Sequence, residues 1–187
     1  MNRLELEEAI VRACEVTGMD RVIVVGSQAI LASIDAGELP ERATMSVEAD
    51  IAPEVDIGEH LTTLLWLEAG QDSPWANERD YFIDAVSADT AYLPPRWRER
   101  AVELRPQARP ELAGICPDPL DLCASKLARN DVKDREFVSA LVDDGIISPR
   151  ALRARFDEID DPRLDPEHAR VARQFIITLE RRAAASD

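Results

Sequence analysis

The sequence predicts a mixed α/β (α+β) fold, with a mixed-sheet core followed by a C-terminal helical bundle. Three observations lead there. Short runs rich in β-branched and aromatic residues (21–25, 44–51 and 80–87) alternate with stretches of helical periodicity. Strand signals fade after Pro119. Beyond that point the chain carries helix starts, at Asp118 or Asp121, at Ser148-Pro149 and at Pro166. The implied division is 1–115 for the core and 116–187 for the helical part, each within the usual size of a domain.

The elements follow in order. Residues 3–17 read as an amphipathic helix with Leu6, Ile10, Ala13 and Thr17 on one face, ended by Gly18. Arg21 to Val25 is a short β-branched strand that runs into Gly26-Ser27. Ser27 to Asp35 is the next helix, broken by Gly37 and Pro40. Residues 44–51 form the second strand, closed by Pro53. Ile57 to Ala69 is helical, with Leu61, Leu64 and Leu65 at helical spacing, and Gly70 to Asn77 is a loop. Residues 80–87 are the third strand, Pro94-Pro95 a turn, and Glu99 to Leu104 a fourth strand. A capped helix then runs through Arg129, and another spans Val132 to Asp143 and ends at Gly145. A third opens at Ser148-Pro149. The last opens at Pro166 and buries Val171, Phe175, Ile176 and Leu179.

Composition narrows the function. With 45% hydrophobic residues the chain should fold, and its net charge of −15 argues against a general nucleic-acid coat protein. Cys14, Cys116 and Cys123 form no CxxC pair, and only His60 and His168 accompany them, so a structural zinc site is not expected. An odd cysteine count, an acidic N-terminus and the lack of a membrane-length apolar run point to a cytoplasmic protein that does not engage a membrane.

Three acidic positions stand out. Glu48 and Asp50 lie two residues apart in an extended segment, so they share a face. Such a pair can hold magnesium, which prefers oxygen ligands; an exposed edge strand is the plain alternative. Asp84 sits inside Phe82-Ile83-Asp84-Ala85-Val86, where a lone aspartate is unfavourable. A third metal ligand explains it, and an ion pair with Arg79 is the plain alternative. A strand that stops at Gly26-Ser27 and starts a helix exposes N–H groups that favour phosphate, although such a turn is more often only a turn. The basic residues are arginine except for Lys126 and Lys133. Lys126 can reach a triphosphate as a point charge, and Lys133 reads as an ordinary exposed lysine. Lys126, Arg129 and Asp134 meet only if the chain turns back near Asn130-Asp131. From Pro94 to Pro110 five arginines face Glu99 and Glu103, and Trp97 lies among them. That segment is either a base-stacking patch or a surface loop around a core tryptophan.

Taken together, Val25-Gly26-Ser27-Gln28-Ala29-Ile30-Leu31, Ser46-Val47-Glu48-Ala49-Asp50-Ile51 and Ser125-Lys126-Leu127-Ala128-Arg129 with Lys133-Asp134-Arg135-Glu136-Phe137 resemble the nucleotidyltransferase superfamily of the polymerase-beta type. Within it, the chain resembles small bacterial proteins related to the AbiEii-like toxins of AbiE-type toxin–antitoxin systems. Gly70-Gln71-Asp72-Ser73 and Leu93-Pro94-Pro95-Arg96-Trp97 also look like that branch. The resemblance covers roughly residues 5–160 and implies magnesium-dependent transfer of a nucleoside monophosphate from a nucleoside triphosphate. The acceptor would be a tRNA 3′ end or a protein hydroxyl, and a cognate antitoxin would be the protein partner. Glu48, Asp50 and Asp84 would hold the metal, and Asp84 could take the acceptor's proton. Gly26, Ser27 and Lys126 would hold the phosphates, with Asp134 orienting Lys126 or Arg129. Two departures matter. The acidic pair is Glu-Ala-Asp rather than the commoner Asp-x-Asp, and Gln28 stands where many active members carry another residue. Some relatives of this fold have lost activity, so an inactive, partner-binding module is the second reading.

Overall fold

The computed structural model describes residues 1–185. Helix α1 (Arg3–Thr17) opens on a capping box between Asn2 and Glu5 and closes on Gly18 in the left-handed region, φ 67°. Its predicted face, Leu6, Ile10, Ala13 and Thr17, is buried. Strand β1 (Arg21–Val24) follows, then 3₁₀ turns at Ser27–Ala32 and Ala36–Glu38. A helical turn, α2 (Glu41–Thr44), precedes β2 (Glu48–Pro53). Next come α3 (His60–Ala69), α4 (Pro74–Asn77), β3 (Phe82–Ala85), α5 (Trp97–Arg100), β4 (Val102–Leu104) and β5 (Ala113–Cys116). The remainder is helical: α6 (Pro119–Arg129), α7 (Val132–Asp143), α8 (Pro149–Phe156) and α9 (Pro166–Ala183).

The strands form one mixed sheet in the order β3-β2-β1-β5-β4. β1 runs antiparallel to β2 and parallel to β5, β3 parallel to β2, and β4 antiparallel to β5. Helices α1 and α3 pack on one face, where Val22, Val24, Ala49, Ile51 and Ile83 enter the main core. On the other face Ile23, Val25 and Ala52 form a smaller cluster with Val86, Ala88, Ala91 and Trp97. Side chains alternate along a strand, so Asp50 shares the face of Ala52, and Asp84 that of Val86.

Several sequence expectations need correction. β5 was not anticipated. It is a buried strand between β1 and β4, so it reads as a plain apolar run without alternation. It also contains Gly114, where a Cβ would come within 2.5 Å of Ile10 Cδ1, so the glycine lets α1 lie close to the sheet. The expected strand 44–51 begins later, because 41–44 coil into α2, and it includes Pro53 as its last residue. The expected helix 27–35 is instead a 3₁₀ turn over Ser27–Ala32, buried from Gln28 onward, and the loop 70–77 contains α4, capped by Ser73. Residues 97–100, partly assigned to a strand, are the short helix α5. The core face of α9 is Ala169, Ala172, Ile176 and Leu179, with Val171 exposed and Phe175 half-buried. Small alanines on that stripe let α9 approach α8, α6 and α7 closely. Arg79 does not pair with Asp84; it bonds Glu8, which also accepts from the Tyr81 hydroxyl.

The helical part is tied to the core by charge. Asp118 caps α6 by accepting the Asp121 N–H at 2.7 Å. Asp121 is fully buried and accepts from Arg100 at 2.8 Å and from Arg155 at 2.6 Å, joining α5 to α6 and α8. The three cysteines are free and buried, and burial pushes Cys14 up to about 11 and Cys116 and Cys123 up to about 12, so they stay as inert thiols. Among the described residues no helix is long and apolar enough to cross a membrane.

Candidate active site

Where β1 ends, the chain turns away from the sheet at Gly26. Val25 donates its N–H to the Asp50 carbonyl at 3.0 Å. Gly26 then passes directly over the Asp50 side chain: a Cβ on residue 26 would sit 1.6 Å from Asp50 Oδ2 and 2.8 Å from Asp50 Cβ. The Gly26 φ is −82°, which any residue can adopt, so glycine is needed here for space. Rotating the carboxylate cannot relieve the clash, because Asp50 Cβ is itself too close. Gly26→Ala is therefore expected to destabilise the protein by about 1–3 kcal/mol, the usual cost of overpacking. A denaturant midpoint equal to wild type would show that the two strands slide apart freely.

Asp50 and Asp84 are register partners on parallel strands β2 and β3, and Glu48 is two residues before Asp50. The three carboxylates therefore project from one face. All three side chains are only partly exposed. Burial raises the Asp50 pKa and the Glu48 charge raises it further, with Asp84 adding and Lys126 opposing. Burial also raises Asp84, again with Glu48 adding, and Lys133 opposes. Such a face is short of positive charge.

Opposite it stands the α6–α7 corner. Asn130 adopts the left-handed conformation, φ 61°, and reverses the chain between the two helices. That turn brings Asp134 back against the last turn of α6. Asp134 is fully buried and accepts from Lys126 Nζ at 3.2 Å, and from Arg129 at 2.8 and 2.7 Å. Burial alone would raise its pKa, but the hydrogen bonds from Arg129 and the charges of Lys126 and Arg129 hold it below the usual carboxylate range. Lys126 Nζ also lies 4.8 Å from the centre of the Phe137 ring, so the lysine is fixed from two sides.

A cleft of about 360 Å³ separates the two walls. Of the residues singled out from sequence, Gly26, Ser27, Glu48, Asp50, Lys126, Arg129 and Asp134 line it. Asp84 stands just outside that lining, beside Asp50. Gln28 faces inward instead. It is fully buried and donates to the Ser46 carbonyl at 2.9 Å. Sequence reasoning missed the Arg42–Glu136 ion pair between α2 and α7, and Tyr92, which lies under Arg163. Glu136 falls within the Lys133–Phe137 stretch that drew attention, whereas nothing in the sequence marks Arg42.

The arginine-rich segment is not a free basic patch. Arg96 pairs with Glu99, Arg98 with Glu54, Arg100 with Asp121, Arg105 with Glu103, and Arg109 with Glu15 and Glu111. Trp97 packs on the small apolar cluster and carries the Arg98 guanidinium 4.9 Å from its ring centre.

The donor set suits a hard cation. Among the described residues no three His, Cys, Asp or Glu side chains close into a cage by themselves. Magnesium is usually bound through one or two carboxylates together with substrate phosphates, and an open fan of carboxylates fits that habit.

Residues 4–183 match the family described as "Nucleotidyltransferase of unknown function (DUF6036)". No curated protein and no solved structure matches the chain.

Proposed function

The chain belongs to the DUF6036 family of nucleotidyltransferases, and from that premise we propose that it transfers a nucleoside monophosphate from a nucleoside triphosphate to a hydroxyl. The observation that carries this reading is the pairing of walls: Glu48, Asp50 and Asp84 on one sheet face, and Lys126 and Arg129 held by Asp134 across the cleft. Glu48, Asp50 and Asp84 would hold magnesium, which would offset triphosphate charge and make the acceptor hydroxyl more acidic. Gly26 and Ser27 give the chain a narrow, polar border against which phosphate oxygens can lie. Lys126 is set by Asp134 and Phe137 to meet the charge that builds on the leaving pyrophosphate. The acceptor oxygen bonds to the α-phosphorus, the bond to the bridging oxygen of the β-phosphate breaks, and pyrophosphate leaves with that electron pair. The acceptor proton goes to Asp84, whose pKa is raised by burial and by the Glu48 charge.

The acceptor reading is an RNA 3′ end or a protein hydroxyl, and the wider role that of a toxin with a cognate antitoxin. Its support is the sequence resemblance. The neutralised arginines supply no broad basic surface for RNA. The competing reading is an inactive module that binds a protein partner. On its side stands the engagement of Lys126 and Arg129 by the same carboxylate. Transfer of radiolabelled nucleotide, with each of the four triphosphates and magnesium, against total tRNA and against the protein itself, separates the two. No transfer and no magnesium-dependent nucleotide binding would favour the module.

Lys126→Arg is expected to abolish transfer in a protein that still folds but melts below wild type. The planar fork cannot occupy the space between Asp134 and the Phe137 ring as a compact ammonium does. Full activity in Lys126→Arg would remove Lys126 from the phosphate site.

A further inference from the structure

Four cationic side chains line the cleft: Arg42, Lys126, Arg129 and Lys133. Three are engaged. Arg42 is neutralised by Glu136, and Lys126 and Arg129 share Asp134. Lys133 is exposed and has no ion-pair partner among the described residues. Arg129 also pairs with Asp131 at 3.4 Å, so the two cations Lys126 and Arg129 are balanced by the two carboxylates Asp131 and Asp134. Among the described residues that line the cleft, Lys133 is therefore the cation whose charge no ion pair balances. Lys133 also sits in the first turn of α7, where a cation opposes the helix dipole, and its charge acts instead on Asp84 of the acidic wall. Lys126 is buried and Lys133 exposed, so they mark the floor and the mouth of one cleft.

We propose that Lys133 binds the terminal phosphate of the nucleoside triphosphate at the mouth of the cleft. This rests on the nucleotide reading above. A triphosphate carries more negative charge than one divalent cation cancels, and it arrives at a wall that already holds three carboxylates. Lys126 cannot move toward the entering phosphates without leaving Asp134. Lys133 is free to do so, and it stands where pyrophosphate must leave.

The test is calorimetric titration with magnesium and each of the four nucleoside triphosphates, followed by the corresponding monophosphate, on wild type, Lys133→Ala and Lys133→Arg. Lys133→Ala is expected to weaken triphosphate binding about tenfold, the scale of one charge-assisted hydrogen bond, and to leave the monophosphate nearly unchanged. Lys133→Arg should bind as wild type does, because an exposed site tolerates the larger head group. Melting temperatures should not change. Equal triphosphate affinity in wild type and Lys133→Ala would overturn the role of Lys133 alone, as would equal losses for both nucleotides. No binding of any triphosphate by wild type would overturn the nucleotide reading with it.

Discussion

Asp50→Asn should lower nucleotidyl transfer on the order of a thousandfold, while the free protein melts no lower than wild type. The activity loss follows from position. Asp50 is central in the acidic group, with Glu48 on its own strand and Asp84 as its register partner, and Gly26 is packed against it. Removing its charge takes away the best-placed cation ligand, and several kcal/mol of charge stabilisation corresponds to about three powers of ten in rate. The stability expectation runs the other way. Burial and the neighbouring carboxylates both disfavour the Asp50 charge in the free protein. Asparagine keeps the shape beneath Gly26 and removes that repulsion. The measurement is a rate with saturating nucleotide beside a thermal melt without magnesium. A destabilised Asp50→Asn would mean that the carboxylate is held by partners in the fold, and the functional reading of the acidic face would lose its main support.

The same residues show what the sequence could and could not reveal. Strand alternation was enough to put Glu48 and Asp50 on one face, because that geometry is local. Placing Asp84 beside Asp50 required β3 to pair with β2 in a given register, a long-range fact that no local pattern encodes. The α6–α7 corner was half legible. The motif Lys126–Arg129–Asp134 was visible, but its convergence depended on one left-handed residue, Asn130. β5 escaped notice because a short buried strand with a glycine carries neither alternation nor β-branched enrichment. The neutralised arginines were also hidden: three of the five have a partner more than twenty residues away in sequence, Arg98 with Glu54, Arg100 with Asp121 and Arg109 with Glu15.

Asp134→Asn is expected to cost stability as well as activity, which sets it apart from Asp50→Asn. Asp134 is fully buried and holds two cations, while Lys126 is itself only 10% exposed at its side chain. Breaking a buried ion pair from one side costs about 3–5 kcal/mol, because the remaining charge stays behind unpaired. Arg129 is 40% exposed and can turn to water, so the lower end, about 3 kcal/mol, is the expected loss. The pH dependence gives an independent check. The folded pKa of Asp134 lies below its ordinary value of 3.8, so the folded state binds the proton less readily than the unfolded chain. The stabilisation is therefore complete above 3.8 and is lost as pH falls through the folded pKa. Denaturant melts of wild type and Asp134→Asn should differ by a constant amount from neutral pH down to that value and converge below it. Adding Lys126→Met to Asp134→Asn should recover part of the stability, because the stranded ammonium is then gone, but none of the transfer activity. A stability gap that does not close in acid would show that shape and hydrogen bonding at residue 134, rather than its charge, hold the α6–α7 corner together.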